Sequence, residues 1–405
     1  MLFILSKPLG SWFQQSGNLE SGSPLDRAFL IVLIILTLWM LNKRRFEWAN
    51  AIKENGWLVA LITFMLLSVL WSPMPYISFK RWTRELLAVL MAFLVTTEPS
   101  PRQAIESILR RTTYILIPFS LLLVKYFPDY GVIFGRWAGE RMWIGVTDQK
   151  NSLCLLCLIS ALFLIWVLDR RRQGKSPTVW KYQTGAEVLI LLIIIWLMGG
   201  PQRSLSYSIT SNVAMGIGFI ILFGFRLLKK SGIIVSVSIL SVVLLLIILL
   251  GVIMPFSGGS IVSSYSASFG RDATLTGRTQ VWAALAPVAM QQSLLGHGFG
   301  GFWSTKTRKL FLIPNAHSGY LDEILDLGFI GIFLVSVFLL SSCRKAHRGL
   351  SHNYEWGTLN IIYIMVHAIH NLAESSLNSF NGPLTAIILF FSVTSMAIYV
   401  QKQCE

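Results

Sequence analysis

The sequence is short of charge. Only 13% of its 405 residues are Asp, Glu, Lys or Arg, about half of what a soluble globular domain carries. So little charge cannot cover the surface of a water-soluble protein of this size. Acids are the scarcer sign, 19 against 34 basic residues, for a formal net charge of +15. Cysteine is scarce too, at four. Cys154 and Cys157 form a CxxC, but it lies inside an apolar run and no second pair exists. That argues for buried thiols, against a zinc site or redox pair, and against a disulfide scaffold. No GxxxxGK[ST] occurs and no GxGxxG follows a strand-like run, which removes the usual nucleotide-phosphate loops. The start of the chain lacks the basic n-region and small-residue cleavage site of a secretory signal. Residues 1–14 are apolar but broken by Pro8 and Gly10, and read as an interfacial or re-entrant segment.

What the chain has is apolar length. Apolar residues make up 54%, gathered in blocks, and a membrane-crossing helix needs roughly 20 of them in a row. Eleven candidate spans emerge: 26–42, 57–72, 84–99, 112–127, 151–169, 182–200, 208–226, 232–255, 324–342, 357–374 and 383–400. The third and fourth are short and are expected to tilt or to borrow interfacial residues. The expectation is an all-α polytopic membrane protein of about 11–12 spans, one membrane domain over residues 1–405.

Charge then sorts the loops. Nineteen of the 34 basic residues fall in alternate short connections. They include Lys43, Arg44 and Arg45; Arg102, Arg110 and Arg111; Arg170, Arg171 and Arg172; Arg226, Lys229 and Lys230; and Arg344, Lys345 and Arg348. By the positive-inside rule these face the cytoplasm, together with the C-terminus. The opposite side carries the two long loops, about 127–150 and 256–323. Long loops in a compact chain are commonly functional. The second contains Trp282, Trp303 and an amphipathic stretch near 279–293, so it reads as an ordered, catalytic periplasmic loop with short helices.

Candidate chemistry gathers on that outward side. Arg203 follows Gly199-Gly200-Pro201, where a helix ends, and Arg278 lies between Gly277 and Thr279. Lys80, Arg81 and Arg84 open the third span; Arg136, Arg141 and Lys150 precede the fifth. Arginines near a membrane interface pair, snorkel to lipid phosphate or face an aqueous cavity, and a guanidinium grips diphosphate through paired hydrogen bonds. His317 stands before a long helix, where a neutral imidazole could take the proton of an attacking sugar hydroxyl. Asp322, Glu323 and Asp326 follow it and could orient it or complement the helix N-terminus. Glu374 closes the tenth span and could line the same cavity as the arginines. His367 and His370 share a helix face but lack further metal ligands, and read as packing or the wall of a polar cavity.

These residues form motifs that resemble a known family, the bacterial O-antigen ligase and Wzy-type polymerase superfamily, and within it the ExoQ-like exopolysaccharide polymerases. The stretch His317-Ser318, nine residues, Gly328, two residues, Gly331 is similar to its main signature. The Thr274-Leu275-Thr276-Gly277-Arg278 stretch ending at Trp282 is similar to a second, and Trp71-Ser72-Pro73 with Ser78, Lys80 and Arg81 to a third. Lys150-Asn151 and Glu374-Ser375-Ser376 also look familial. The resemblance implies a GT-C-like glycosyltransferase of the bacterial inner membrane. It would take a glycan from undecaprenyl pyrophosphate on the periplasmic side, with inversion and without metal or cofactor. The acceptor would be another lipid-linked repeat in a polymerase, or lipid A-core in a ligase. Carried over residue by residue, His317 is the acceptor-side histidine, and Arg278 and Arg203 hold the pyrophosphate. Arg81, Arg84, Arg141, Lys150 and Glu374 are further candidates for binding pyrophosphate or glycan. Expected partners are the lipid-linked donor, the acceptor, membrane lipids and other polysaccharide-assembly proteins, with no nucleic acid. A transporter or flippase is the competing class. It commonly shows repeated halves and mid-membrane charges, whereas this chain shows no internal repeat and a polar cluster on one side.

Overall fold

The structure is a computed structural model that describes residues 24–134, 139–176, 178–202, 205–233, 235–257, 278–377 and 379–403. Among the described residues, eleven helices of 12 residues or more fall on the eleven apolar segments. They are α1 (Pro24–Lys43), α3 (Gly56–Leu67), α4 (Pro75–Thr96), α5 (Pro101–Tyr126), α6 (Lys150–Arg172), α7 (Gln183–Gly199), α8 (Ile209–Lys230), α9 (Val237–Ile253), α12 (Gly319–His352), α13 (Tyr354–His370) and α14 (Pro383–Gln403). Between them lie the short helices α2 (Trp48–Glu54), α10 (Arg278–Gln291) and α11 (Thr305–Phe311). A two-stranded antiparallel hairpin, β1 (Val132–Phe134) and β2 (Arg141–Trp143), occupies the first long loop.

Among the described residues, five helices are long and apolar enough by themselves to cross a membrane: α5, α6, α8, α9 with its 3-10 extension to Phe256, and α12. The pair of α2 and α3, bent by 93°, makes a sixth. The chain is an all-α, multi-pass membrane protein. The spans expected to be short are long helices, because their charged ends are helical too. α4 takes in Lys80, Arg81 and Arg84, and α5 takes in Arg102, Arg110 and Arg111. Both open on a proline in the first turn, where the missing N–H costs nothing.

Burial separates centre from rim. In an apolar stretch of 18 consecutive residues, 78% of α6 is inside the protein, against 22% of α9. A helix apolar all round belongs in a core, and α6 carries Cys154 and Cys157 there as free, buried thiols. α9 instead turns Leu245, Leu246 and Leu249 outward, as a lipid-facing helix does.

The helix ends form two groups. At one end, Arg44 of the turn after α1 pairs with Glu98 at 2.7 Å. Arg102 and Arg170 share Glu106, Arg110 and Arg171 share Glu187, Lys175 and Lys229 share Glu355, and Arg226 pairs with Asp169. This is the end to which the charge pattern assigns most basic loops. The other end holds the hairpin, α10, α11 and the starts of α6 and α12.

α12 is broken where the signature places its first glycine. Gly328 has φ +66° and ψ −163° inside an otherwise continuous helix. A Cβ there would lie 2.2 Å from the Leu294 carbonyl oxygen, so both the backbone angle and the space require glycine. The break frees a donor and an acceptor: the Phe329 N–H reaches the Ser293 carbonyl at 2.7 Å, and the Leu325 carbonyl accepts from the His297 N–H at 2.9 Å. The segment after α10 is thereby stitched into the top of α12.

Candidate active site

Four stretches converge at the top of α6. Arg278 opens α10, and its guanidinium donates to Glu374 Oε1 at 2.7 Å and to the Ala373 carbonyl. Asn151, in the first turn of α6, donates through Nδ2 to the same Oε1 at 2.8 Å. His317 Nδ1 lies 3.8 Å from Glu374 Oε2, in ion-pair reach but beyond hydrogen-bonding distance. Glu374 is thus the hub, touched by a cation, an amide and an imidazole from three separate elements. Burial alone would raise its carboxyl pKa; the adjoining His317 and the Arg278 cation more than reverse this and bring it down to about 2.

His317 is held by its neighbours on both sides. Its φ is +51°, a left-handed conformation unusual for a residue with a Cβ and one that costs energy. The Ala316 carbonyl accepts from Trp282 Nε1 at 2.8 Å, and the Ala316 N–H donates to Asp322 Oδ1 at 3.1 Å. Ser318 caps α12 by accepting from the Leu321 N–H, and the His317 N–H donates to Asn315 Oδ1 at 3.1 Å. The Gly319 N–H meets the carbonyls of Asn371 and Glu374 at 2.9 and 3.0 Å. These bonds fix the backbone on either side of the ring and join the His317 turn to the Glu374 turn. Asp322 therefore acts on the backbone before His317, while the carboxylate facing the ring is Glu374. Trp303 Nε1 also donates to Asp322 Oδ1, at 2.7 Å.

The remaining sequence candidates are placed unevenly. Lys150 sits one residue before Asn151, its ammonium 5.3 Å from the Tyr207 ring centre. Arg81 donates to the carbonyls of Gly300 and Trp303, so it braces the second long loop and reaches the site through Trp303 and Asp322. Arg84 is one turn further along α4, beside the buried Glu85 that accepts from Asn381. Arg141 is exposed on β2, opposite Phe134. Arg203, residues 258–277 and the interfacial segment 1–14 lie outside the described residues. The amphipathic stretch near 279–293 is α10, and its Trp282 carries the turn before His317. Sequence reasoning singled out Lys150 but gave no role to Asn151, its neighbour. The paired Lys150-Asn151 wording was the available signal.

A multi-pass helical membrane protein with a cation, a carboxylate and an imidazole joined at one end is the class the geometry defines. Comparison with known proteins agrees. Residues 203–336, which include Arg278 and His317, match the O-antigen ligase family, Wzy_C. Exopolysaccharide production protein ExoQ of Rhizobium meliloti (strain 1021) is 21% identical over 300 residues, 71% of this chain and 64% of its own. Probable peptidoglycan glycosyltransferase FtsW of Saccharophagus degradans is 25% identical over 238 residues, 55% of this chain and 54% of its own. The matched regions span less than two thirds of either relative's length. Over residues 203–336 the chain is similar to the O-antigen ligase family, and over a longer stretch to an exopolysaccharide production protein.

Proposed function

We propose that the chain is a membrane glycosyltransferase that moves a glycan from undecaprenyl pyrophosphate to a sugar hydroxyl, polymerising exopolysaccharide or O-antigen repeat units. The site would open to the periplasm, with the C-terminus in the cytoplasm, as the loop charges suggest. The observation that carries this reading is the convergence of Arg278, Asn151 and His317 on Glu374. It supplies a diphosphate-binding cation and an acceptor-side base within one constellation.

The chemistry is a single displacement. The acceptor oxygen attacks the anomeric carbon from the face opposite the diphosphate. A carbon–oxygen bond forms, the bond to the phosphate oxygen breaks, and the configuration inverts. His317 takes the acceptor's proton. Arg278, with Lys150, stabilises the negative charge that grows on the leaving diphosphate, and Arg203 is the further candidate by resemblance. Glu374 holds Arg278 and faces His317, favouring the imidazolium that forms as the proton arrives. The segments stitched over α12 keep water from the donor. A ligase reading, with lipid A-core as acceptor, is favoured by the family matched over residues 203–336.

The test uses purified protein in nanodiscs with undecaprenyl-pyrophosphate-linked repeats, EDTA and no ATP. A ladder from the donor alone, absent in His317→Ala, is the expected result. A single shifted band that needs lipid A-core would establish the ligase instead. No product with either acceptor would overturn the reading, and a lipid-flipping assay would then follow.

A further inference from the structure

The second long loop carries an apolar edge that the proposed chemistry does not use. α11 is capped by Ser304, whose hydroxyl accepts from the Thr307 N–H at 3.1 Å. Its outward face is Lys306, Lys309 and Leu310, spaced i, i+3 and i+4 so that they share one side of the helix. Leu310 is 72% exposed, and Leu312, in the turn that follows, is 71% exposed. Phe311 and Ile313 alternate with them and pack against the core, Phe311 on the Phe302 ring at 6.4 Å. Leu312 ends the helix at φ +56°, in the left-handed region where a residue with a Cβ is strained. With most of its surface outside the fold, Leu312 recovers little of that cost from packing.

Charge and depth together say what covers this edge. Residues 273–321 contain no Asp or Glu, so Lys306, Arg308 and Lys309 flank the two leucines with no acid nearby in the chain. Cations beside exposed leucines match a phospholipid surface, which offers anionic phosphate above acyl chains. Depth follows from two hydrogen bonds. The Phe299 N–H donates to Ser68 Oγ at 2.9 Å, and Trp71 Nε1 donates to the Leu295 carbonyl at 3.3 Å. Ser68 and Trp71 lie in the 3-10 turn that ends the bent α2–α3 span. The connection leading to α11 therefore runs at the level where that span leaves the membrane. Leu70, Leu294 and Leu295 are exposed there too. The His297 ring meets Phe302 at 5.1 Å, and Phe302 meets Phe311, so a run of rings joins that level to α11.

We propose that α11 and the turn after it form a seat on the outer leaflet, with an anionic phospholipid surface as its occupant. Leu310 and Leu312 enter the acyl region. Lys306, Arg308 and Lys309 lie at the level of the lipid phosphates, their stems along the apolar surface. An acidic protein would also complement the cations, but the depth set by Ser68 and Trp71 puts this edge beside lipid. The seat rests on the multi-pass topology and goes beyond the glycosyltransferase reading. Its consequence for that reading is positional. Leu312 is five residues before His317, and the Ala316 carbonyl and N–H between them are both held. The seat thus fixes His317 at headgroup depth, where the diphosphate of a lipid-linked donor would sit.

The test reads depth by fluorescence, in nanodiscs holding one protein each so that lipid is the only occupant available. A dye is attached at Leu310→Cys in a Cys404→Ser background, since Cys154, Cys157 and Cys343 are buried. Quenching by acrylamide from water is compared with quenching by nitroxide-bearing acyl chains, in phosphatidylcholine with and without phosphatidylglycerol. The dye should be quenched from the lipid side and shielded from acrylamide, more so with phosphatidylglycerol. Lys306→Gln, Arg308→Gln and Lys309→Gln together should release it in phosphatidylglycerol, by about fivefold per cation in the balance between seated and free turn. Leu312→Gly should release it as well without unfolding the protein, because glycine suits φ +56°. If the triple variant does not fold, Lys309→Gln alone carries the same comparison. A dye open to acrylamide and untouched by the nitroxide chains would overturn the lipid seat and point to a protein partner or a second copy. Lipid quenching indifferent to phosphatidylglycerol and to the three cations would overturn the anionic occupant. Quenching is read without substrate, so the seat stands or falls separately from glycan transfer.

Discussion

The two ends of this molecule treat charge in opposite ways. At the basic end each shared carboxylate serves two cations. Glu187, fully buried, accepts from Arg110 and Arg171 and also from the Tyr114 hydroxyl and the Gln183 amide. Both carboxylate oxygens are engaged, and the result joins α5, α6 and α7 as a brace. At the site end Glu374 also has several partners, but the groups around it are incompletely engaged. His317 stops at 3.8 Å, and His367 and His370 show open nitrogens among the described residues. A filled network rigidifies; an unfilled one is where a ligand has something to add. The same residue types therefore brace helices at one end and gather around Glu374 at the other.

Substitutions can break that contrast, and the expected effects fall in a definite order. Removing the proton acceptor is the most damaging to function. His317→Ala should lower glycan transfer by about 10²–10⁴-fold, the usual worth of general acid–base catalysis, with an unchanged melting temperature. A fall in melting temperature matching the loss would make His317 a structural residue. Arg278→Ala should cost about 10²–10³-fold in transfer, in the range of other charge-stabilising donors. Arg278→Lys should recover little, because an ammonium cannot present the paired N–H groups that reach Glu374 and Ala373 together; full recovery would reduce Arg278 to a point charge.

The brace should behave differently. Glu187→Ala leaves two partly buried arginines facing each other and should cost about 3 kcal/mol of stability, read as a lower melting temperature. Transfer per folded molecule should stay within about twofold. If transfer fell in step with His317→Ala, the two ends would be coupled and the contrast would fail. The smallest effect sharpens the electrostatics. Glu374 is brought down to about 2 from an ordinary 4.5, so its contribution to stability is complete above the ordinary value and disappears as pH falls through about 2. The melting-temperature gap between wild type and Glu374→Gln should therefore be widest near neutrality and close between pH about 5 and about 2. A gap that stays constant would mean that the charge of Glu374 does not matter.

Much of this was legible in the sequence, for physical reasons that differ by element. Each of the eleven apolar blocks falls on a helix among the described residues, and five of these, or six with the bent α2–α3 pair, are long and apolar enough to cross a bilayer. α4 and α5 start earlier than their apolar runs, because run length does not register a helix that continues through Lys80 or Arg102. Arg278, His317 and Glu374 could each be suspected, but their meeting could not. It depends on contacts across 96 residues between Arg278 and Glu374 and 223 between Asn151 and Glu374. The role of Gly328 as a docking point for the Ser293–Leu294 backbone is also invisible to spacing, which marks only that a glycine is needed. From the sequence Asp322, Glu323 and Asp326 could orient His317 or complement the helix N-terminus. Asp322 engages Trp303 and the Ala316 N–H, so it holds the backbone beside His317, while Glu374 faces the ring.

The Arg278–Glu374 ion pair has one more consequence. A cation that bound diphosphate with nothing to replace it would hold the spent carrier as firmly as the loaded one. Here the carboxylate stands ready at 2.7 Å, ionised at any working pH, and competes for the guanidinium each time the lipid diphosphate loosens. On the proposed reading Glu374 is an internal displacer. It weakens ground-state binding of both lipids equally and shortens the residence of the discharged carrier. Turnover in a membrane crowded with both forms would then be limited less by chemistry than by how quickly the arginine changes partners.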